Sequence, residues 1–258
     1  MARFLLSFIG AVFIGLVALS ISSCSREEQK TSFVVAHNSS WEPLPLPSAD
    51  QNLIGFSEDL MYEIAKLQSV HVTLVTSNYK PLTDLLDRGN FDGILTGIQP
   101  SSRMLENYSF SDPYFQVGPV IVIRADASFS SLDDLNSREV GYERGSPWPF
   151  QLASIANCFF RSYEDRMQAV EDLNRGLIDA VLLDPITAHK ITTGLYSGKV
   201  KIAGPPVIAL GVYLVVKKGS NEELIRLFNK GLKRIRKEGL YDKMLFYWGL
   251  YNAEKLPS

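Results

Sequence analysis

"GFSEDLMYEIAKLQSVHVTLVT", residues 55–76, changes its repeat halfway along, and that change decides the fold class. Leu60, Met61, Ile64 and Leu67 fall on one face of a 3.6-residue repeat, so the first part forms a helix with an apolar stripe to bury. From Val70 to Thr76 apolar and polar residues alternate, which is the two-residue repeat of a strand. Upstream, "SFVVAH" (32–37) is a short apolar strand. Downstream, "KPLTDLLDRG" (80–89) reads as a helix stopped by Gly89, and "FDGILTG" (91–97) as a third strand. Strand, helix, strand, helix, strand argues for a parallel sheet covered by helices.

A second round follows "YSFSDPYF" (108–115), in which four aromatic rings crowd around Pro113. "PVIVIRA" (119–125) is an apolar β-branched strand, "SLDDL" (131–135) a helical turn and "EVGYERG" (139–145) a strand. "WPFQLASIANCFF" (148–160) and "YEDRMQAVEDLNRG" (163–176) read as helices, and "DAVLLD" (179–184) as a buried strand. This repetition favours two similar α/β lobes over one continuous sheet. The tail adds a long apolar strand, "VIALGVYLVVKK" (207–218), and the helix "SNEELIRLFNKGLKRIRKEG" (220–239). Ser220 and Glu223 have the spacing of a capping box there, and Leu224, Leu227, Phe228, Leu232 and Ile235 form the buried stripe. "YDKMLFYWG" (241–249) closes the chain's regular structure as a short aromatic helix.

With 258 residues, 46% of them hydrophobic, and a net charge of −2, the chain is an ordinary globular protein with room for two modest domains. Its charge offers no general attraction for nucleic acid, and the basic run in 230–237 reads as a solvated helix face. The N-terminus differs in kind. Arg3, an apolar run from Phe4 to Leu19 and small residues ending at Cys24 form the layout of a secretory signal, with an uncleaved membrane anchor as the alternative. "ISSC" (21–24) resembles the lipobox of bacterial lipoproteins. That resemblance makes 1–23 the signal peptide, Cys24 a lipidated N-terminus and 24–30 a flexible tether, with the protein extracytoplasmic and lipid-anchored to a bacterial membrane. With Cys24 modified, Cys158 has no partner, so no disulfide is expected; Cys158 in "ANCFF" reads as a small buried hydrophobe. His37, His71 and His189 lack metal-ligand spacing, and neither a glycine-rich phosphate loop nor G-x-S-x-G occurs. No metal, cofactor or catalytic residue is expected.

Seven segments, in order, resemble one family. They are "SSWEPLPL", "GFSEDLMYEIAKL", "DRGNFDGILTG", "SSRMLENYSFSDPYF", "LDDLNSREVGYERGS", "LNRGLIDAVLLD" and "EGLYDKMLFYWG". The chain is similar to the extracytoplasmic solute-binding proteins, family 3, which serve polar amino-acid ABC transporters. The resemblance implies an α/β, two-lobe type II periplasmic binding protein fold, each lobe a mostly parallel sheet flanked by helices, joined by two hinge crossovers. Lobe one would hold 31–115 and 210–258, and lobe two 116–209. "YSFSDPYF" would then sit just before the first crossover, either turning the strand towards the second lobe or serving as an ordinary aromatic core corner.

The function implied is an amino-acid-binding lipoprotein that closes its lobes on a free amino acid and delivers it to an ABC permease, as a monomer. A zwitterionic ligand needs a planar cation for its carboxylate and an anion for its ammonium. By similarity Arg103 is the carboxylate clamp, although the loop from Gly97 is one residue shorter than in many members; a surface pair with Glu106 is the competing reading. Asp184 matches the ammonium-binding acid, at the strand end where α/β ligands bind, and it can also cap a helix starting at Pro185. Gly145 and Ser146 would meet the carboxylate; Pro147 replaces a threonine of many relatives and removes an amide donor and a hydroxyl. Trp41 matches the cleft aromatic or lies in the core, Gly97 offers a carbonyl to the ammonium, and Gln99 takes a polar position nearby. Asn38 and Glu143 fall where side-chain selectivity is set. Glu143 within the cleft favours a basic side chain such as that of arginine, and exposed at the surface it has no such role. The alternative function is a periplasmic cyclohexadienyl dehydratase-like enzyme on the same fold, with Glu143 as general acid.

Overall fold

The computed structural model describes residues 31–38, 50–79, 81–129, 132–146, 148–154 and 156–251. The expected signal, Cys24, the tether, Trp41 and Pro147 lie outside the described residues. From Ser32 onward the chain forms one compact unit built on two sheets.

The first sheet is assembled from β1 (Ser32–Asn38), β2 (His71–Ser77), β3 (Gly93–Thr96), β4 (Tyr108–Phe110), β5 (Phe115–Gln116) and β11 (Gly211–Lys217). Its order is β2-β1-β3-β11-β4, with β5 also on β11. β1 pairs parallel to β2 and β3, whereas β11 runs antiparallel to β3, β4 and β5. Helix α1 (Asp50–Gln68) lays Leu53, Phe56, Leu60, Met61 and Ile64 into the core, as its repeat requires. α2 (Leu82–Asp87) covers the opposite face through Leu82 and Leu86. α3 (Ser102–Asn107) buries no residue.

The second sheet holds β6 (Val120–Arg124), β7 (Glu139–Glu143), β8 (Phe159–Tyr163), β9 (Ala180–Leu183) and β10 (Val200–Ile202), in the order β10-β6-β9-β7-β8. Its helices are α4 (Trp148–Leu152), α5 (Arg166–Asn174) and α6 (Pro185–Thr193). β9, "AVLL", is buried along its whole length because it lies near the centre of a sheet covered on both faces. β7, β8 and β9 are parallel; β6 runs antiparallel to both of its neighbours, β9 and β10. Both sheets are therefore mixed, with a parallel portion continued by antiparallel strands. Phe159, Phe160 and Tyr163, expected at the ends of two helices, belong instead to β8, since "FFRSY" pairs parallel to β7.

α7 (Glu222–Lys237) and α8 (Leu240–Tyr247) return to the first sheet's core. All five residues of the expected α7 stripe are buried. The capping box does not form. Asn221 is the N-cap in a left-handed conformation (φ 53°), which moves the frame by one residue. Glu223 pairs with Arg226, and Glu222 instead accepts from Gly219 N (3.1 Å) and Ser109 Oγ (2.6 Å).

The aromatic bend is a core element of the first sheet. Tyr114 and Phe115 pack with Phe56 and Phe228; the Tyr114 hydroxyl donates to Ser57 Oγ at 2.9 Å, and its carbonyl accepts from Tyr241 Oη at 2.6 Å. Directly after it the chain leaves for the second sheet. The outgoing and returning segments run side by side: Val117 N donates to Leu210 O (2.9 Å) and Val207 N to Pro119 O (2.8 Å). A Cβ on Gly118 would lie 1.7 Å from Ile208 O, so only glycine permits this approach.

Two predictions follow from the packing. Gly118→Ala has to separate the two crossings and should destabilise the protein by about 1–3 kcal/mol, read as a lowered denaturant midpoint. His189 of α6 stacks on Tyr251 at 4.6 Å, and burial lowers its pKa from the ordinary histidine value. The folded state thus disfavours the imidazolium. Stability is fully present above the unfolded pKa of about 6.5 and is lost as pH falls through the folded value. His189→Phe should flatten that part of the pH–stability profile, measured by urea unfolding between about pH 7.5 and 5.

Candidate functional site

Because β7 lies between β8 and β9 with all three parallel, their C-terminal ends share one edge of the second sheet. Everything that leaves those ends meets there. Glu143 closes β7; Gly145, with φ 85°, turns the chain; Ser146 precedes α4. Asp184 follows β9 and starts α6, while Arg166 is the first residue of α5, just after β8. Glu143, Ser146, Arg166 and Asp184, with Trp148 and Leu183 among their neighbours, line a cavity of about 230 Å³. That is below the roughly 300–1,000 Å³ of drug-sized ligand pockets and suits a small metabolite.

Asp184 acts first as a cap. Its Oδ1 accepts from Ile186 N (3.1 Å) and Thr187 N (2.9 Å), with Pro185 at the first helical position where a missing N–H costs nothing. Its Oδ2 is left with a distant approach, 3.9 Å, from Arg166 Nη1. The side chain is 11% exposed. Ser146 Oγ accepts from Trp148 N at 3.4 Å, at the start of a helix only five residues long.

Glu143 is not a free acid. Arg166 grips it with two nitrogens, Nη2 to Oε2 at 2.9 Å and Nε to Oε1 at 3.3 Å, and Nη1 donates to Thr187 Oγ1 at 3.2 Å. Glu143, expected to favour a basic ligand side chain if it lies in the cleft, already has a counter-charge in this pair. Arg166 is the residue that sequence reading missed. The available signal was its place after Asp165, whose side chain accepts from Met167 N at the helix start. A cation at a helix N-terminus is electrostatically misplaced unless an acid faces it, and Glu143 is that acid.

Among the described residues, the other expected ones, Asn38, Gly97, Gln99 and Arg103, lie on or beside the first sheet and do not line this cavity. Asn38 ends β1, and with its amide nitrogen turned to β2 it donates to the carbonyls of Ser77 (2.8 Å) and Tyr79 (3.2 Å). Gln99 is spent structurally: its Nε2 donates to Gly97 O (2.7 Å) and Gly211 O (2.8 Å), and its Oε1 accepts from Gly211 N (3.0 Å). The Gly97 carbonyl thereby already holds one donor. Arg103 lies exposed on α3 with no ion pair among the described residues, so the surface pair with Glu106 is absent. Cys158 packs beside the second sheet's core as a free, half-buried thiol whose pKa burial pushes up, as suits a packing residue. Among the described residues no group of histidine, cysteine and acidic side chains could hold a metal ion.

Comparison with known proteins gives a consistent answer. The sequence profile of the bacterial extracellular solute-binding proteins, family 3, matches residues 33–251. A probable histidine-binding protein of Neisseria gonorrhoeae is 24% identical over 241 residues, 88% of this chain and 90% of its own. The arginine-binding extracellular protein ArtP of Bacillus subtilis is 24% identical over 262 residues, 99% of this chain and all of its own (100%). Substrate-binding domain 2 of GlnP from Lactococcus lactis, solved in an open conformation, is similar in structure with a TM-score of 0.64 and 26% identity, covering 85% of this chain and 96% of that one.

The two roles of Asp184 separate by substitution. Asp184→Ala removes both cap bonds and should cost about 0.5–2 kcal/mol of stability. Asp184→Asn retains an Oδ1 acceptor, so urea denaturation should show most of the stability kept, while any affinity that needs a negative charge is lost.

Proposed function

The chain belongs to the bacterial extracellular solute-binding proteins, family 3, and from that premise we propose that it binds a free amino acid for an ABC importer. The observation that carries this reading is the divided carboxylate of Asp184. One oxygen is engaged by α6, and the other remains at the cavity with no hydrogen bond among the described residues, placed to accept an ammonium group. Arg103, on α3 beside the first sheet and without an ion pair among the described residues, supplies the complementary fork for the ligand carboxylate. Each sheet with its helices forms one lobe. The ligand engages Arg103 first, and rotation at the paired crossings around Gly118 brings Asp184 and Ser146 onto it. Closure is driven by the contacts that exist only in the closed form.

The same reading puts the protein outside the cytoplasm, as a monomer that hands its ligand to a permease, with lipid on Cys24 holding it at the membrane. The relatives are named as binding proteins. The enzyme alternative needs a free general acid, and both oxygens of Glu143 are engaged by Arg166.

Isothermal titration with the twenty amino acids tests the reading. At least one should bind, and Arg103→Ala should cost that ligand about 2–5 kcal/mol by leaving its carboxylate unpaired on closure. Unchanged affinity in the variant rejects Arg103 as the clamp. Lipid on Cys24 predicts that radiolabelled palmitate enters the wild-type protein in growing bacteria and not Cys24→Ala.

A further inference from the structure

Glu143 and Arg166 form a charge pair inside the cavity, built from two different elements and unused by the clamp described above. The contact is a two-nitrogen fork onto both carboxylate oxygens, 2.9 and 3.3 Å, in which planarity fixes the direction as well as the charge. It is held from behind. Thr187, a buried hydroxyl on α6, accepts from Nη1 at 3.2 Å, so the guanidinium is tied to α6 as well as to β7. The two side chains are 22% and 35% exposed, so each keeps a face towards the cavity. Asp165 seats the first turn of α5 by accepting from Met167 N, which fixes the backbone that carries Arg166.

Four charged residues line this cavity, Glu143, Arg144, Arg166 and Asp184; Arg144 pairs with Glu164 and Arg166 with Glu143, which leaves Asp184 as the acid not matched by a close pair. The surplus is a single negative charge, on Asp184, and one ammonium neutralises it. A second cation on the ligand has no acid left to meet: to reach Glu143 it must displace a guanidinium that is covalently part of the protein and already oriented. An anionic side chain fares no better, since Arg166 is neutralised by Glu143 and a new carboxylate would lie beside two existing ones. What remains available on Arg166 is N–H donor capacity, because a guanidinium carries five N–H groups and, among the described residues, three short contacts use one each, with Asp184 Oδ2 at 3.9 Å beyond hydrogen-bond reach.

We propose that Arg166 is a specificity-determining residue: by occupying Glu143 it restricts the protein to amino acids with uncharged side chains, and it offers its spare N–H groups to a side-chain oxygen. This rests on the amino-acid-binding reading above, and it goes beyond it by naming the ligand class and the residue that sets it.

The test is a titration of the full chain, purified in detergent, with L-glutamine, L-asparagine, L-serine, L-arginine, L-lysine and L-glutamate, on the wild type and three variants. In the wild type an uncharged amino acid binds most tightly. Arg166→Met keeps the length and removes the charge; freeing Glu143 should raise the arginine-to-glutamine affinity ratio at least roughly tenfold. Glu143→Gln leaves Arg166 without a counter-ion and should raise the glutamate-to-glutamine ratio by about as much. The double variant should return both ratios towards wild type, which a purely structural role for the pair would not produce. Wild-type protein that binds arginine, lysine or glutamate more tightly than every uncharged probe overturns the inference and leaves the amino-acid-binding reading standing. Wild-type protein that binds none of the twenty amino acids overturns that reading, and this inference with it. If Arg166→Met does not fold, the wild-type ranking and Glu143→Gln decide alone.

Discussion

The parallel pairing of β7 with β8 on one side and β9 on the other is the constraint on which the site depends. Parallel strands end on the same side, so three chain segments that are distant in sequence deliver their next residues to one edge. Register does the rest. Glu143 stands opposite Tyr163, three residues before Arg166, and Gly141 stands opposite Val181, three residues before Asp184. A one-residue slip of either strand would turn its inward side chains outward and carry an acid or the arginine away from the cavity. The register of β7 on β9 is held by Val140, Ala180 and Leu182 on one face and Val181 and Leu183 on the other, whose apolar side chains fill the two cores.

The connection to the first sheet obeys a different constraint. Two crossings that share backbone hydrogen bonds, Val117 to Leu210 and Val207 to Pro119, behave as a narrow ribbon between the two sheets. A ribbon of this kind can bend while its cross-bonds persist, because bending changes backbone dihedrals rather than contacts between cores. The close approach at Gly118 sets the two segments directly against each other. Gln99 reinforces the same place from the first sheet: two hydrogen bonds between its side-chain amide and Gly211 tie the loop after β3 to the start of β11, 112 residues later. The aromatic packing of Tyr114 and Phe115 against α1 and α7 anchors the segment where it leaves the first sheet.

How much of this was legible in the sequence follows the range of the interactions. Repeats carried by neighbouring residues were readable: the α1 and α7 stripes, the alternation in β2, and the buried run of β9 all appear in the structure. Local patterns misled where a backbone choice intervened, as at Asn221, whose left-handed conformation withdraws Ser220 from its capping role. "FFRSY" shows the limit of the period rule, since five residues cannot separate strand from helix and the pairing with β7 decides. In the site, Asp184 was readable because a strand-ending acid before proline is a local pattern. The Glu143–Arg166 pair spans 23 residues and exists only through strand order, so neither residue announced the other.

Asp184 shows why this position calls for a carboxylate rather than an amide or hydroxyl. Capping α6 uses one oxygen for two N–H groups, and a ligand ammonium needs another oxygen at a different angle. A hydroxyl has one oxygen for both tasks. An amide has one acceptor, and its nitrogen would point a donor at the ammonium. The carboxylate satisfies both, and its burial is offset from two directions: the N-terminal dipole of α6 favours a negative charge, and Arg166 lies 3.9 Å away without claiming the free oxygen. Since the cap bonds fix the plane of the group before any ligand arrives, little orientational freedom remains to be lost on binding. The element that terminates β9 and starts α6 therefore also orients the free carboxylate oxygen, and under the proposed function stability and recognition are set by the same side chain.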